Sequence, residues 1–412
     1  MKIVLVNYRY FISGGPERYY FNIKEILENK GHEVIPFSVK SSRNLPNAYE
    51  KYFLDIVDDE VYFSQSRKSV KVIFKSFTRM FYSFEAKRKF KQLLKDTEPD
   101  LVYIMQFHNK ISPSIIDVAV SLKKPVVHRI SDFQYMCPNA LFYNEVKGVC
   151  EDCLVGKRLS CVKYKCVLNS SVYSAIKLAV KMLHDTMHVT KRINAFVVPS
   201  SFTLGKLHKY GIPRDKLNHI PTFFNLKQLD PVVEYKPFAL FIGRIERQKG
   251  LMTLLKAFVN SEYNLKIIGF SNDGYEDELK EYLKDKKHHI EFLGKKSFEE
   301  IEPYLKLCLF TMTPSEWYDN FPNVILESFA FKKAVIATNF GSLSELVQNN
   351  RTGLTFKYAN VEDLKVKVAY MFEHPEEAKV MGENAYIDLV SQYSPNVHYE
   401  KLISLFKLMV NE

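Results

Sequence analysis

A chain of 412 residues is too long for one ordinary domain and fits two, each large enough to bury its own core. With 46% hydrophobic and 25% charged residues and few Gly and Pro, the composition excludes disordered, fibrous and low-complexity chains, and no apolar run is long enough to span a bilayer. The expectation is a cytoplasmic protein whose net charge of +11 faces an anion: nucleic acid, lipid headgroups or a phosphorylated substrate.

In chain order, residues 3–6 read as a buried strand. A turn of Ser13, Gly14, Gly15 and Pro16 follows, then a helix over 17–29 closed by Gly31. Strands predicted at 34–37, 101–105, 125–130 and 196–198 alternate with helical pattern, as a parallel doubly wound sheet requires. This first domain is expected to span residues 1–220. The polar, Pro-containing stretch 221–237 reads as a linker, after which the pattern restarts with strands at 238–242, 265–268, 309–312 and 334–337. The second domain thus covers 221–395, and a last helix in 396–412 is predicted to cross back to the first. The fold class is α/β, with two Rossmann-like doubly wound units facing a cleft.

Residues 67–95 hold ten Lys or Arg against one acid, Glu85. Val70, Ile73, Phe74, Phe77, Phe81 and Phe84 recur there at helical spacing, which suits either an anionic membrane surface or a core-facing stripe with a solvated basic back.

Two blocks carry chemistry. In the first, Gly243, Arg244, Lys249 and Gly250 lie where a strand turns into a helix, so two cations sit where they can grip a diphosphate as it becomes a leaving group. The second runs from Thr313 through Asp319 to Glu327, with a helix opening near Pro322. Free N–H groups of Asn323 and Val324 at that helix start suit a phosphate. Glu327 is placed to accept hydrogen bonds from a ribose diol, and Asp319 to hold sugar hydroxyls.

These blocks, with Asp319 and Glu327 eight apart and a trailing run from Gly341 to Leu346 and from Thr352 to Leu354, resemble the retaining GT-B glycosyltransferases of family 4 nearly end to end. The resemblance implies that Arg244 and Lys249 bind the donor diphosphate, Glu327 the ribose and Asp319 the transferred sugar. It also implies that Gly14 and Gly15 let the N-terminal loop approach the donor. Gly243, Phe321, Pro322, Asn323 and Val324 complete the expected donor site, and the base is expected along 269–274 and 294–295. Two departures stand out: the first carboxylate is Asp319 where the family usually has Glu, and Ser131 fills the slot before Asp132 that often holds His. Ser131, Asp132 and His108, the last following a predicted strand, are the acceptor-side candidates. The implied reaction moves a sugar from a nucleotide diphosphate sugar, UDP- or GDP-linked, to a glycan or lipid-linked saccharide in bacterial surface polysaccharide synthesis. No catalytic metal and no nucleic-acid partner are expected, and the basic segment would seat the protein peripherally at the inner membrane face.

Five of six cysteines lie within thirty residues, in an insertion spanning 137–166, and Cys150 and Cys153 form a C-x2-C knuckle. In a reducing compartment this pattern reads as a structural zinc on Cys137, Cys150, Cys153 and Cys166, with Cys161 as the alternative fourth ligand, or as free thiols or a disulfide. Cys308 reads as core. The rival readings are a sugar-nucleotide epimerase or a phosphorylase on the same fold, and a zinc-containing nucleic-acid-binding protein.

Overall fold

The structure is a computed structural model that describes residues 1–55, 79–225 and 235–411. The first unit contains β1 (Lys2–Val6), α1 (Gly15–Asn29), β2 (Glu33–Phe37), α2 (Phe84–Thr97), β3 (Leu101–Ile104), α3 (Ser114–Ser121) and β4 (Val126–Arg129). A small hairpin, β5 (Tyr143–Asn144) and β6 (Gly148–Val149), and α4 (Ser160–Lys163) lie within the cysteine-rich insertion. The unit closes with α5 (Ser171–Thr186), β7 (Ala195–Val198), α6 (Ser201–Tyr210) and β8 (Leu217–His219).

Its sheet runs β2-β1-β3-β4-β7-β8, every pair parallel. Helices cover both faces, so the strands are apolar on both sides: Ile3, Leu5 and Tyr103 enter one core, Val4, Val6 and Ile104 the other. Pro36, which cannot donate to a ladder, sits in β2 at the sheet's edge.

The second unit holds β9 (Phe238–Ile242), α7 (Leu251–Phe258), β10 (Asn264–Ile268), α8 (Tyr275–Leu283), β11 (His289–Phe292), α9 (Phe298–Leu307) and β12 (Phe310–Thr313). It continues through α10 (Asn323–Ala330), β13 (Ala334–Thr338), α11 (Leu343–Leu346), β14 (Gly353–Phe356), α12 (Val361–Glu373), α13 (Pro375–Gln392) and α14 (Pro395–Asn411). Its sheet is also all-parallel, β11-β10-β9-β12-β13-β14. The direction of winding reverses between β9 and β12, which opens a crevice at their carboxyl ends. The last helix, α14, packs Leu402, Ile403 and Phe406 into the first unit's core beside Ile3, Leu5 and Tyr103.

Besides the small hairpin, three strands of the two large sheets escaped the sequence pattern. β8 is only three residues long, and β11 is an edge strand with no fully buried residue. β14 opens on Gly353, whose added Cβ would stand 2.0 Å from the Val335 carbonyl oxygen, so a close backbone approach occupies a strand position that lacks a β-former.

The basic segment is also corrected where it is described; residues 56–78 lie outside the described part. The chain does not continue as one helix to residue 95, because Ser83 caps α2, its hydroxyl accepting from the Ala86 N–H. Arg79 is no surface cation: it is buried and pairs with Glu85 at 2.7 Å. Phe84 faces outward while Ala86, Phe90, Leu93 and Leu94 turn to the core. Among the described residues no helix is long and apolar enough to cross a membrane.

Candidate functional site

The loops that leave β9, β10 and β11 are laced in a row. Gly243 N–H donates to the Ile268 carbonyl at 3.0 Å, Ile245 N–H to that of Phe270 at 2.9 Å, and Gly269 N–H to that of Gly294 at 3.0 Å. The packing leaves no room for side chains: a Cβ on Gly269 would stand 1.9 Å from the Gly243 carbonyl oxygen. Gly250, at φ +71°, binds this row to the loop after β12, since its Cβ would meet the Pro314 carbonyl oxygen at 1.9 Å. The Glu316 N–H donates to the Gln248 carbonyl at 2.8 Å across the same junction. The two blocks singled out in the sequence are therefore one rigid surface at the β9/β12 crevice.

On that surface Lys249 Nζ donates to Asp319 Oδ1 and Oδ2 at 3.0 and 2.9 Å and lies 5.1 Å from the centre of the Trp317 ring. Ser315 Oγ holds Asp319 Oδ2 at 2.8 Å, and Ser342 Oγ donates to the Asp319 carbonyl. Arg244, half-exposed, pairs with Glu246, whose carboxyl burial pushes up. Helix α10 starts after Pro322 with no side-chain cap, which leaves the N–H groups of Asn323 and Val324 facing the crevice. Phe321 packs at 6.1 Å from the Tyr393 ring, behind that helix start.

The first unit meets this surface with the N-terminus of α1. Gly15 comes so close that its Cβ would lie 2.9 Å from Asn323 Nδ2, while Gly14, in extended backbone, precedes an uncapped helix. Two helix N-termini, one from each unit, thus converge on one place and favour an anion there. Arg18, one turn into α1, reaches Glu327 Oε1 at 3.1 Å. Glu327 is only 8% exposed; burial pushes its carboxyl up and Arg18 pulls it part of the way back. Arg18 was not singled out from the sequence, and Ser315, Trp317 and Ser342 lay within the quoted runs with no role assigned. Arg18 carried a signal, a cation immediately after the Gly14–Gly15 turn and Glu17.

Asn320 links the two sides. Its Nδ2 donates to the Ile130 carbonyl at 3.0 Å and its Oδ1 accepts from Thr203 Oγ1 at 2.8 Å, so the 130–132 loop stands against the Asp319 loop. Asp132 accepts from the Gln134 N–H at 2.9 Å and from Gln134 Nε2 at 3.2 Å, and burial pushes its carboxyl up to about 6. Ser131 Oγ accepts from Arg129 at 3.0 Å and points to the Met105 carbonyl. His108 stacks on Phe107 with centroids 3.9 Å apart, and burial lowers its pKa. His108 and Gln134 line a small cavity with Lys177, which donates to Asn109 and which burial pulls down to about 8.

The cysteine insertion forms a flank of the cleft. Glu151 takes a hydrogen bond from Tyr318 Oη at 2.7 Å and an ion pair from Lys206, and the Phe142 ring lies 6.1 Å edge-on to Tyr318. Among the described residues no group of three or more His, Cys, Asp or Glu is placed to hold a metal ion, while the Cys166 thiol, pushed up chiefly by burial, lies close enough to Cys137, Cys150 and Cys153 for all three to push it further up. Cys137 Sγ donates to Asn139 Oδ1 at 2.8 Å, and Cys153 and Cys161 both face the Arg158 carbonyl, at 3.8 and 3.1 Å. Burial pushes the Cys137 thiol up to about 11 and that of Cys166 up to about 12. Cys308 is core.

Residues 225–388 match the family described as Glycosyl transferases group 1. A glycosyltransferase of Methanocaldococcus jannaschii whose role is uncharacterized is 34% identical over 168 residues, 40% of this chain and 45% of that one. The N,N'-diacetylbacillosaminyl-diphospho-undecaprenol alpha-1,3-N-acetylgalactosaminyltransferase of Campylobacter jejuni is 23% identical over 257 residues, 58% of this chain and 64% of that one. The chain thus spans less than two thirds of the length of these curated relatives. Two solved structures are similar along the whole chain. Sucrose-phosphate synthase from Thermosynechococcus elongatus has a TM-score of 0.71 at 17% identity, covering 100% of this chain and 99% of that one. Anabaena HepE in complex with UDP-glucose has 0.64 at 14%, covering 98% and 99%. The fold is GT-B.

Proposed function

We propose that the chain is a retaining glycosyltransferase of family 4 that transfers a sugar from a UDP- or GDP-sugar to a glycan or lipid-linked saccharide. The observation that carries the reading is the convergence of Arg244, Lys249 and two uncapped helix starts beside Asp319 and Glu327 at the topological switch point. A diphosphate lies along the helix starts and the cations, a ribose diol on Glu327 and the sugar hydroxyls near Asp319. The match over 225–388, the UDP-glucose named with the Anabaena structure and the diphospho-undecaprenol named in the Campylobacter relative support these classes of donor and acceptor.

In the reaction the bond from the anomeric carbon to the diphosphate oxygen breaks, and the acceptor oxygen bonds to that carbon on the same face. The acceptor proton passes to the departing phosphate oxygen. Negative charge grows on the diphosphate as it leaves, where Arg244, Lys249 and the helix N-termini, carried on loops fixed by Gly250 and Gly269, oppose it. Asp132, His108 and Lys177 are read as the acceptor side.

The test is incubation with UDP- and GDP-sugars and lipid-linked saccharides, with the anomeric configuration of the product read by NMR. A product of retained configuration supports the proposal and an inverted one overturns its stereochemistry. Conversion of the sugar nucleotide without acceptor would instead establish the epimerase, and a requirement for inorganic phosphate the phosphorylase. Attachment to the inner membrane face through the basic segment is part of the proposal. Lys71→Glu with Lys75→Glu should release the protein from anionic liposomes, and unchanged sedimentation would remove this element.

A further inference from the structure

Each charged side chain that the donor would use is already paired with a neighbour: Lys249 with Asp319, Arg244 with Glu246, and Arg18 with Glu327. The first two pairs lie within the second unit. The third crosses between units: Arg18 belongs to α1, yet its guanidinium sits 3.1 Å from Glu327 and 5.9 Å from the centre of the Phe298 ring, both of the second unit. Resting on the donor-site reading above, we infer that Arg18 guards the ribose-binding carboxylate until a nucleotide enters and then moves to the donor diphosphate.

The argument is one of competition for Glu327. Its Oε1 is occupied by Arg18, and a charge-assisted bond to a guanidinium is stronger than one to a neutral hydroxyl. A nucleoside alone therefore displaces Arg18 poorly. A diphosphate changes the balance, because it offers the guanidinium oxygens that match its planar fork. Arg18 need not travel far, since α1 begins at Gly15, directly against Asn323 at the start of α10, where the two helix N-termini favour the same anion. Its side chain is 45% exposed, so the move is not blocked by packing. Arg18 is thus a positioning and selecting residue: it makes occupation of the ribose site conditional on a phosphate-bearing ligand and ties both units to the same ligand.

The test compares a nucleoside with its diphosphate. Affinities of uridine and UDP, with guanosine and GDP run in parallel, are measured by calorimetry and ligand-observed NMR for the wild type, Arg18→Ala and Arg18→Lys. Arg18→Ala should bind the nucleoside several-fold more tightly and the diphosphate roughly tenfold more weakly, so that the preference for the diphosphate collapses. Arg18→Lys should recover part of the diphosphate affinity. If the substitution changes both ligands by the same factor, or neither, the exchange is refuted even though the donor site stands. A wild type that binds no nucleotide overturns the donor-site reading, and this inference with it. In an E327Q background, Arg18→Ala should still weaken the diphosphate; no effect there would reduce Arg18 to a partner of Glu327 alone.

Discussion

The two walls of the cleft treat charge in opposite ways. On the second unit's wall Lys249, Asp319, Arg244 and Glu246 stand in opposite-sign pairs at the mouth of the β9/β12 crevice, on loops locked by Gly250 and Gly269. In the first unit, Arg18 apart, burial shifts ionisable groups toward their neutral forms: His108 is lowered, His128 falls to about 3, Lys177 falls to about 8 and Asp132 rises to about 6. Paired charges on a rigid frame suit a ligand whose charge is fixed and grows as it leaves. Buried histidines held neutral suit hydroxyl groups, which need hydrogen bonds rather than counter-ions.

The sharpest way to break this contrast is to remove a charge from the donor wall. Lys249→Ala should lower turnover on the order of 10²- to 10³-fold with little change in thermal unfolding, and a few-fold loss would deny it a role in meeting the leaving group. Next comes the frame. Gly250→Ala places a Cβ against the Pro314 carbonyl at a positive φ and should cost at least about 2 kcal/mol in denaturant unfolding. An unaltered midpoint would mean that the two loops are not locked.

Acid should act chiefly on the first unit. His398 is neutral, its Nδ1–H donating to the Pro221 carbonyl at 2.7 Å and its Nε2 accepting from Tyr19 Oη at 2.9 Å, and burial lowers it to about 3. His128, bonded to Tyr135 Oη at 2.8 Å, is lowered to the same degree. Both bind a proton more readily unfolded than folded, so the stability they contribute is fully present above their ordinary pKa near 6.5 and is lost as pH falls from there toward about 3. Urea midpoints should therefore drop between pH 7.5 and 5. His398→Gln should flatten that slope, and an equal slope in the variant would clear His398.

Smaller again, Asp132→Asn should raise the acceptor KM by roughly tenfold while leaving donor affinity alone. A change confined to the donor would put Asp132 on the wrong wall.

The second unit's wall was the more legible in the sequence for a physical reason. Its groups come from two short segments at the ends of β9 and β12, so chain spacing is nearly spatial spacing, and its glycines mark real close approaches. The first unit gathers His108, Asp132 and Lys177 from separate elements, and only His108 and Asp132 were found. Arg18 was missed because its partner, Glu327, lies 309 residues away and no local pattern announces a contact between units. Spacing brought the cysteines together without fixing their role: Cys137 Sγ turns to Asn139, Cys153 and Cys161 share the Arg158 carbonyl, and Cys166 stands within electrostatic reach of Cys137, Cys150 and Cys153. Periodicity could not register β11 because an edge strand buries too little to show an apolar run.

The most direct test of the donor wall is calorimetric titration of the protein and of Arg244→Ala and Glu327→Ala with UDP, GDP and ADP. The account expects one nucleoside diphosphate to bind and both substitutions to weaken it at least about tenfold. Absence of binding to all three, or binding that neither substitution disturbs, would contradict it.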